Sequence, residues 1–286
     1  MKEAASRVGT TLGNRPRRRW ALGALAALLV GALAWWLFLR GADRSLERIF
    51  AQGIMRVGMD PSFPPFENVH GETGAIEGFD VDLAWALAEE LGDVRPEFVV
   101  IGFDGLYDAL WARRVDVCIS ALPVDPMLTE DVAYSRPYFN AGLRILVRAD
   151  LPDVRRVEDL AGRRLGVEWG SEGDLKGREL RQELDGLELV PFVSAEDGFA
   201  ALVRGEVDAL LLEGVAALQF AGRPSQAVLL PELLSDQPYA VAVHPKDRAL
   251  LRAVNEALEH LEEQGTLRTL QEKWFGASSG ANLSEP

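Results

Sequence analysis

Two stretches of this 286-residue chain repeat one another. In Ala109–Val117 (ALWARRVDV) and Ala201–Ala209 (ALVRGEVDA), a helical segment ends on basic residues and a Val-Asp pair starts an apolar strand. Short strands of unbroken hydrophobicity belong in parallel sheets covered by helices on both faces. Two such units in one chain predict two similar α/β lobes, each with its ligand-facing edge at the carboxyl ends of its strands. Two lobes leave a cleft between them, and such clefts are where small ligands bind.

The pattern around the repeat supports this. Strands are expected at Ile54–Met59, Phe98–Ile101 and Val115–Ser120, with helices at Asp80–Leu91 and Leu106–Arg113. After Pro126 a polar segment leads through Tyr134–Tyr138 to a long strand at Gly142–Val147. A second alternation follows: strands at Arg164–Val167, Leu187–Phe192 and Val207–Leu212, helices at Leu175–Leu184, Ala195–Arg204 and Glu213–Phe220. Tyr239–Val243 reads as a strand before two closing helices, Asp247–Gln264 and Leu267–Phe275. Between the first strand and the first helix lies Asp60-Pro61-Ser62-Phe63-Pro64-Pro65-Phe66. Prolines fix φ, so this loop presents its aromatic rings rigidly. Pattern alone leaves open whether those rings are core or site.

Charge narrows the function. The first forty residues carry seven basic side chains against one acid, so the net −14 of the chain leaves −20 on the remainder. A body that acidic repels phosphate backbones and excludes nucleic acid as a partner. Cys118 is the single cysteine and sits in an apolar run, which predicts a buried inert thiol. His70, His244 and His260 lack ligand spacing, so no metal and no cofactor are expected.

Residues 20–39 (WALGALAALLVGALAWWLFL) are twenty uncharged, mostly apolar positions, about 30 Å as a helix and enough to span a bilayer core. The arginines before them predict a cytoplasmic N-terminus, with everything after Arg40 outside. The length of the run and its WWLFLR end favour an uncleaved anchor over a cleaved leader. The expected organisation is a basic cytoplasmic segment (1–19), an anchor (20–39), a stalk (40–52), lobe 1 (53–147 and 239–276), lobe 2 (148–238) and a disordered tail (277–286).

From about residue 53 to 276 the chain resembles the bacterial extracytoplasmic solute-binding proteins of family 3, which serve amino-acid ABC importers. The resemblance rests on Asp60–Phe66, Gly78–Ala84, Phe103–Leu106, Val115–Val117, Tyr134–Tyr138, Glu158–Val167, Gly265–Leu267 and Lys273–Gly276, in register. It implies the type II periplasmic-binding-protein fold, two α/β lobes joined by two crossover strands, here preceded by one transmembrane helix. It also implies a monomer that delivers a small ligand to an ABC permease without catalysis.

Carried over residue by residue, the resemblance implies that Asp60 faces the ligand and that Phe63 and Phe103 sandwich its side chain. Glu213 takes the position that holds the α-ammonium, and the Gly170-Ser171 turn the position where helix amides receive a carboxylate. Ala121 falls among the ligand-binding positions. The clamp arginine and its preceding threonine are replaced by Leu128 and Pro123, and neither can bind a carboxylate. Glu168 and Trp169 occupy a further pocket position. Two readings stay open. The ligand is a cation without a free carboxylate, held by Asp60, Glu168 and Glu213 with cation–π contacts, or another arginine, Arg144 or Arg136, substitutes for the clamp. A cyclohexadienyl dehydratase on the same fold and a ligand-sensing accessory domain are the alternative functions.

Overall fold

The computed structural model describes residues 43–223 and 227–276. The expected span at 20–39 and tail at 277–286 lie outside the described residues, among which no helix is long and apolar enough to cross a membrane.

The first part of the chain runs α1 (Ser45–Gln52), β1 (Ile54–Met59), three short strands β2 (Ser62–Phe63), β3 (Glu67–Val69) and β4 (Ile76–Glu77), then α2 (Phe79–Glu90) and β5 (Arg95–Val100). It continues through α3 (Leu106–Trp111), β6 (Val117–Cys118) and β7 (Ala133–Asn140). The second part comprises β8 (Arg144–Arg148), β9 (Arg164–Glu168), α4 (Glu172–Glu183), β10 (Glu188–Phe192), α5 (Ala195–Val203), β11 (Ala209–Leu212), α6 (Gly214–Ala221) and β12 (Ala227–Leu229). The chain then returns through β13 (Pro238–Val243), α7 (Arg248–Glu263) and α8 (Thr266–Phe275).

Two five-stranded sheets result, ordered β5-β1-β6-β13-β7 and β10-β9-β11-β8-β12. They share one pattern. In each, the first three strands are parallel and the fourth joins antiparallel to the third. The sequence repeat has a structural cause. Asp116 accepts hydrogen bonds from the backbone N–H and guanidinium of Arg56 on β1, and Asp208 accepts the same set from Arg164 on β9. Each Val-Asp pair thus pins its own strand to the start of the neighbouring one. The arginines hold both carboxyls below their ordinary range.

Three expectations need correction. β7 runs through a segment whose composition reads as polar. It lies at the sheet edge, where Pro137 and Arg136 are tolerated. β5 starts three residues before the expected Phe98, and Pro96 is accommodated because β5 is the opposite edge. The boundary at 147/148 also shifts, because β8 pairs entirely within the second sheet. The passage between sheets is residues 141–143.

That passage lies against the return segment. Asn140 Oδ1 accepts from the N–H groups of both Gly142 and Gln237, Ala141 N–H donates to Gln237 O, and Leu143 N–H donates to Ser235 Oγ. Gly142 packs so tightly that a Cβ there would lie 1.8 Å from the Ser235 carbonyl oxygen.

The lobe 1 core centres on Phe66, whose ring meets Phe139 at 4.9 Å, Phe275 at 5.3 Å and Tyr239 at 5.5 Å. The proline loop therefore divides its rings. Phe66 is fully buried, and Phe63, 43% exposed, stacks on it at 5.7 Å. The helix α6 joins two cores. Val215 and Leu218 pack into the lobe 1 core, while Ala217, Phe220 and Ala221 belong to a lobe 2 core.

Candidate functional site

Each sheet carries a cavity at the carboxyl ends of its parallel strands, where open α/β sheets place ligands. The lobe 1 cavity, about 330 Å³, is lined by Asp60, Ser62, Phe63, Glu67, Phe103, Ser120, Ala121, Pro123 and Tyr239. Asp60 follows β1, Phe103 follows β5 and Ser120 follows β6, so three adjacent parallel strands deliver one rim each. A hydrogen-bond chain fixes them. Phe103 N–H donates to Asp60 Oδ2 (2.8 Å), Asp60 N–H donates to Ser120 Oγ (3.0 Å), and Ser120 Oγ donates to Glu67 Oε1 (2.7 Å). Behind them Asp80 Oδ2 accepts from Ala121 N–H (2.5 Å) and from Tyr138 Oη (3.0 Å). Ala121 sits at φ 45°, a left-handed conformation that a non-glycine residue keeps only where its surroundings enforce it. Pro123 bridges to Tyr239, closing the cavity wall.

Two acids under this cavity are strongly perturbed. Burial, and then the charge of Asp80, push the Glu67 carboxyl up to about 10. Burial likewise raises Asp80 to about 7, opposed by its bonds from Ala121, Glu67 and Tyr138.

The lobe 2 cavity, about 190 Å³, is lined by Glu168, Ser171, Ala195, Leu211, Leu212, Glu213 and Ala216. Glu168 ends β9, and Glu213 caps the N-terminus of α6 directly after β11. Ser171 caps α4, accepting from Asp174 N–H and donating to the Glu168 carbonyl, so its hydroxyl serves its own helix.

Of the residues singled out from the sequence, the structure brings Asp60, Phe63, Phe103, Ala121 and Pro123 together in one cavity, and Glu168, Ser171 and Glu213 in the other. Leu128, Trp169 and Arg144 line neither. Leu128 closes a 3-10 turn at Pro126–Leu128, and Trp169 is 73% exposed. Arg136 is engaged by Glu262 on α7. Arg144, opposite Leu212 in the sheet, is buried with Nε and Nη1 lacking any hydrogen-bond partner. Desolvation lowers it to about 10, so it remains a cation at neutral pH, which burial makes costly. Sequence reasoning missed Ser62, Glu67, Ser120 and Tyr239. The available signal was Glu67, an acid directly after the rigid Pro64-Pro65-Phe66 run. Cys118 is buried and bonds only the Leu106 carbonyl, and no group of three or more potential metal ligands occurs among the described residues.

Two sheets of one strand pattern, each with a cavity at the same edge, define a two-lobed ligand-binding fold. The chain belongs to the bacterial extracellular solute-binding proteins, family 3, which its residues 55–277 match. It is 30% identical over 263 residues to the L-cystine-binding protein TcyJ of Escherichia coli, covering 91% of this chain and 96% of that protein. It is 30% identical over 260 residues to the L-arginine-binding protein of Pseudomonas aeruginosa, covering 86% and 95%. Among solved structures, an ancestral cationic amino acid solute-binding protein matches with a TM-score of 0.62 at 32% identity, over 81% of this chain and 99% of that one. The curated relatives named here are binding proteins, not enzymes.

Proposed function

We propose that this chain captures an amino acid with a cationic side chain outside the cytoplasm and delivers it to an ABC permease. The observation that carries this reading is the charge of the two cavities. Asp60 lines one, where burial holds Glu67 neutral, Glu168 and Glu213 line the other, and no arginine, lysine or histidine is among the described lining residues. Acids with no basic partner in the lining favour a cation, and Phe63 and Phe103 supply ring faces for cation–π contact. Relatives that bind arginine and cystine support an amino-acid ligand. In this reading Glu213 takes the α-ammonium, Asp60 faces the side chain, and the α-carboxylate, with no basic side chain in either lining, falls to backbone N–H groups.

A thermal-shift panel of the purified protein tests the ligand. At a hundredfold excess over Kd, binding stabilises by about 2.7 kcal/mol, which for a protein of this size raises Tm by roughly 5–10 °C. L-arginine or L-lysine is expected to give such a shift. A comparable shift with glutamate or aspartate alone would sink the reading.

We further propose that the apolar segment at 20–39 tethers the binding body to the outer face of the cell membrane. Its length and its upstream arginines support this. The full chain is expected to stay with membranes through a carbonate wash, whereas a chain beginning at residue 41 is released. Release of the full chain by the wash would rule the tether out.

A further inference from the structure

The floor of the lobe 1 cavity holds two carboxyls where one charge is all that the surroundings support. Glu67 is 1% exposed and Asp80 is fully buried, and each acts on the other. Two carboxyls buried in one site cannot both stay ionised, so the pair holds a proton. Each acid keeps one buried oxygen, Glu67 Oε2 and Asp80 Oδ1, with no hydrogen-bond partner. The partners of the other oxygens sort the two acids. Asp80 Oδ2 accepts from a backbone N–H and a tyrosine hydroxyl, as an ionised carboxylate does, whereas Glu67 Oε1 receives only the Ser120 hydroxyl. The proton therefore resides on Glu67, and of the two acids Glu67 is the one that lines the cavity.

Besides the Ser120 hydroxyl and the Ala121 N–H, the groups acting on this pair are acidic or phenolic. Asp60 acts on Glu67 from the loop after β1, and Tyr138 on β7 bonds Asp80. Tyr239 on β13 feels both acids and, from lobe 2, Glu213. No arginine or lysine is among the groups acting on either acid. A positive charge entering beside Asp60 would be the first cation that Glu67 meets, and an opposite charge at close range favours the ionised form.

We propose that the lobe 1 cavity exchanges a proton for the cation it takes up, Glu67 releasing to solvent the proton it shares with Asp80 when a cationic group enters beside Asp60. This rests on the reading of the ligand as a cation. The step moves one proton from a Glu67 carboxyl oxygen to water and leaves the cavity with unchanged net charge. Glu67 is thereby the residue that distinguishes a cationic side chain from a neutral one of similar shape.

Calorimetric titration of the full-length protein with L-arginine, at about pH 8 to 8.5 in buffers of different ionisation enthalpy, counts the protons released where Asp80, raised to about 7, is already ionised. The expected result is net release of up to about one proton per L-arginine, with affinity rising by as much as tenfold per pH unit where the pair titrates. In Glu67→Gln the release is expected to vanish and affinity to become independent of pH in that range. A ligand-free readout accompanies it. The infrared band of a protonated carboxyl is expected in the wild type at the same pH and absent in Glu67→Gln. Binding heat with no buffer dependence, equal release by Glu67→Gln, or no protonated-carboxyl band each overturns the exchange and leaves the cationic ligand standing. No binding heat with L-arginine or L-lysine overturns the cationic-ligand reading, and the exchange with it.

Discussion

Gly142→Ala is expected to lower the unfolding temperature by roughly 5–10 °C. The added methyl would lie 1.8 Å from the Ser235 carbonyl oxygen and 2.6 Å from its carbon. Both are backbone atoms, so no side chain can swing aside. Nor can the two passages separate, because Asn140 bonds both and Ser235 Oγ holds the Leu143 N–H. Overpacking into a fixed neighbour costs about 1–3 kcal/mol and more where backbone must shift, and each kcal/mol is worth about 2–4 °C at this size. Circular dichroism melts would measure it. A fall of less than about 2 °C would show that the two passages part easily.

Glu213→Gln is expected to weaken ligand binding by at least about 30-fold. Truncating one partner of a desolvated charge pair costs about 2–5 kcal/mol, and 1.4 kcal/mol is a factor of ten. Glu213 is exposed in this structure and its backbone carbonyl already accepts the Ala217 N–H, so the exchange leaves the helix cap intact. The loss should therefore appear in Kd rather than in Tm. Isothermal titration with whichever amino acid gives the largest thermal shift decides it, and an unchanged Kd removes Glu213 from the site.

The lobes were legible in the sequence because their strands are short apolar runs broken by turn residues. The Val-Asp repeat also records a real device, a carboxylate that clamps the neighbouring strand in each lobe. Segments whose residues answer to neighbours rather than to periodicity were not legible. β7 reads as polar because it is an edge, and its buried residues, Ser135 and Tyr138 to Asn140, are interrupted by Arg136 and Pro137. Of the two rings in the proline loop, only packing against Phe139 and Phe275 shows which is core. Asp60, Phe103 and Glu213 came from the family resemblance, and the fold places them after β1, β5 and β11. Glu67 was missed because its role depends on Asp80 and Ser120, neither of which adjoins it in sequence.

The helix α6 carries Glu213 at its start, Leu218 in one core and Phe220 in the other, and at its far end Gly222 leaves no room for a Cβ against the Phe275 carbonyl. A body wedged along its whole length cannot slide sideways without opening a void on one flank and a clash on the other. Glu213 therefore stands on a helix that answers to both cores, and the place of its carboxylate is set by the packing of each.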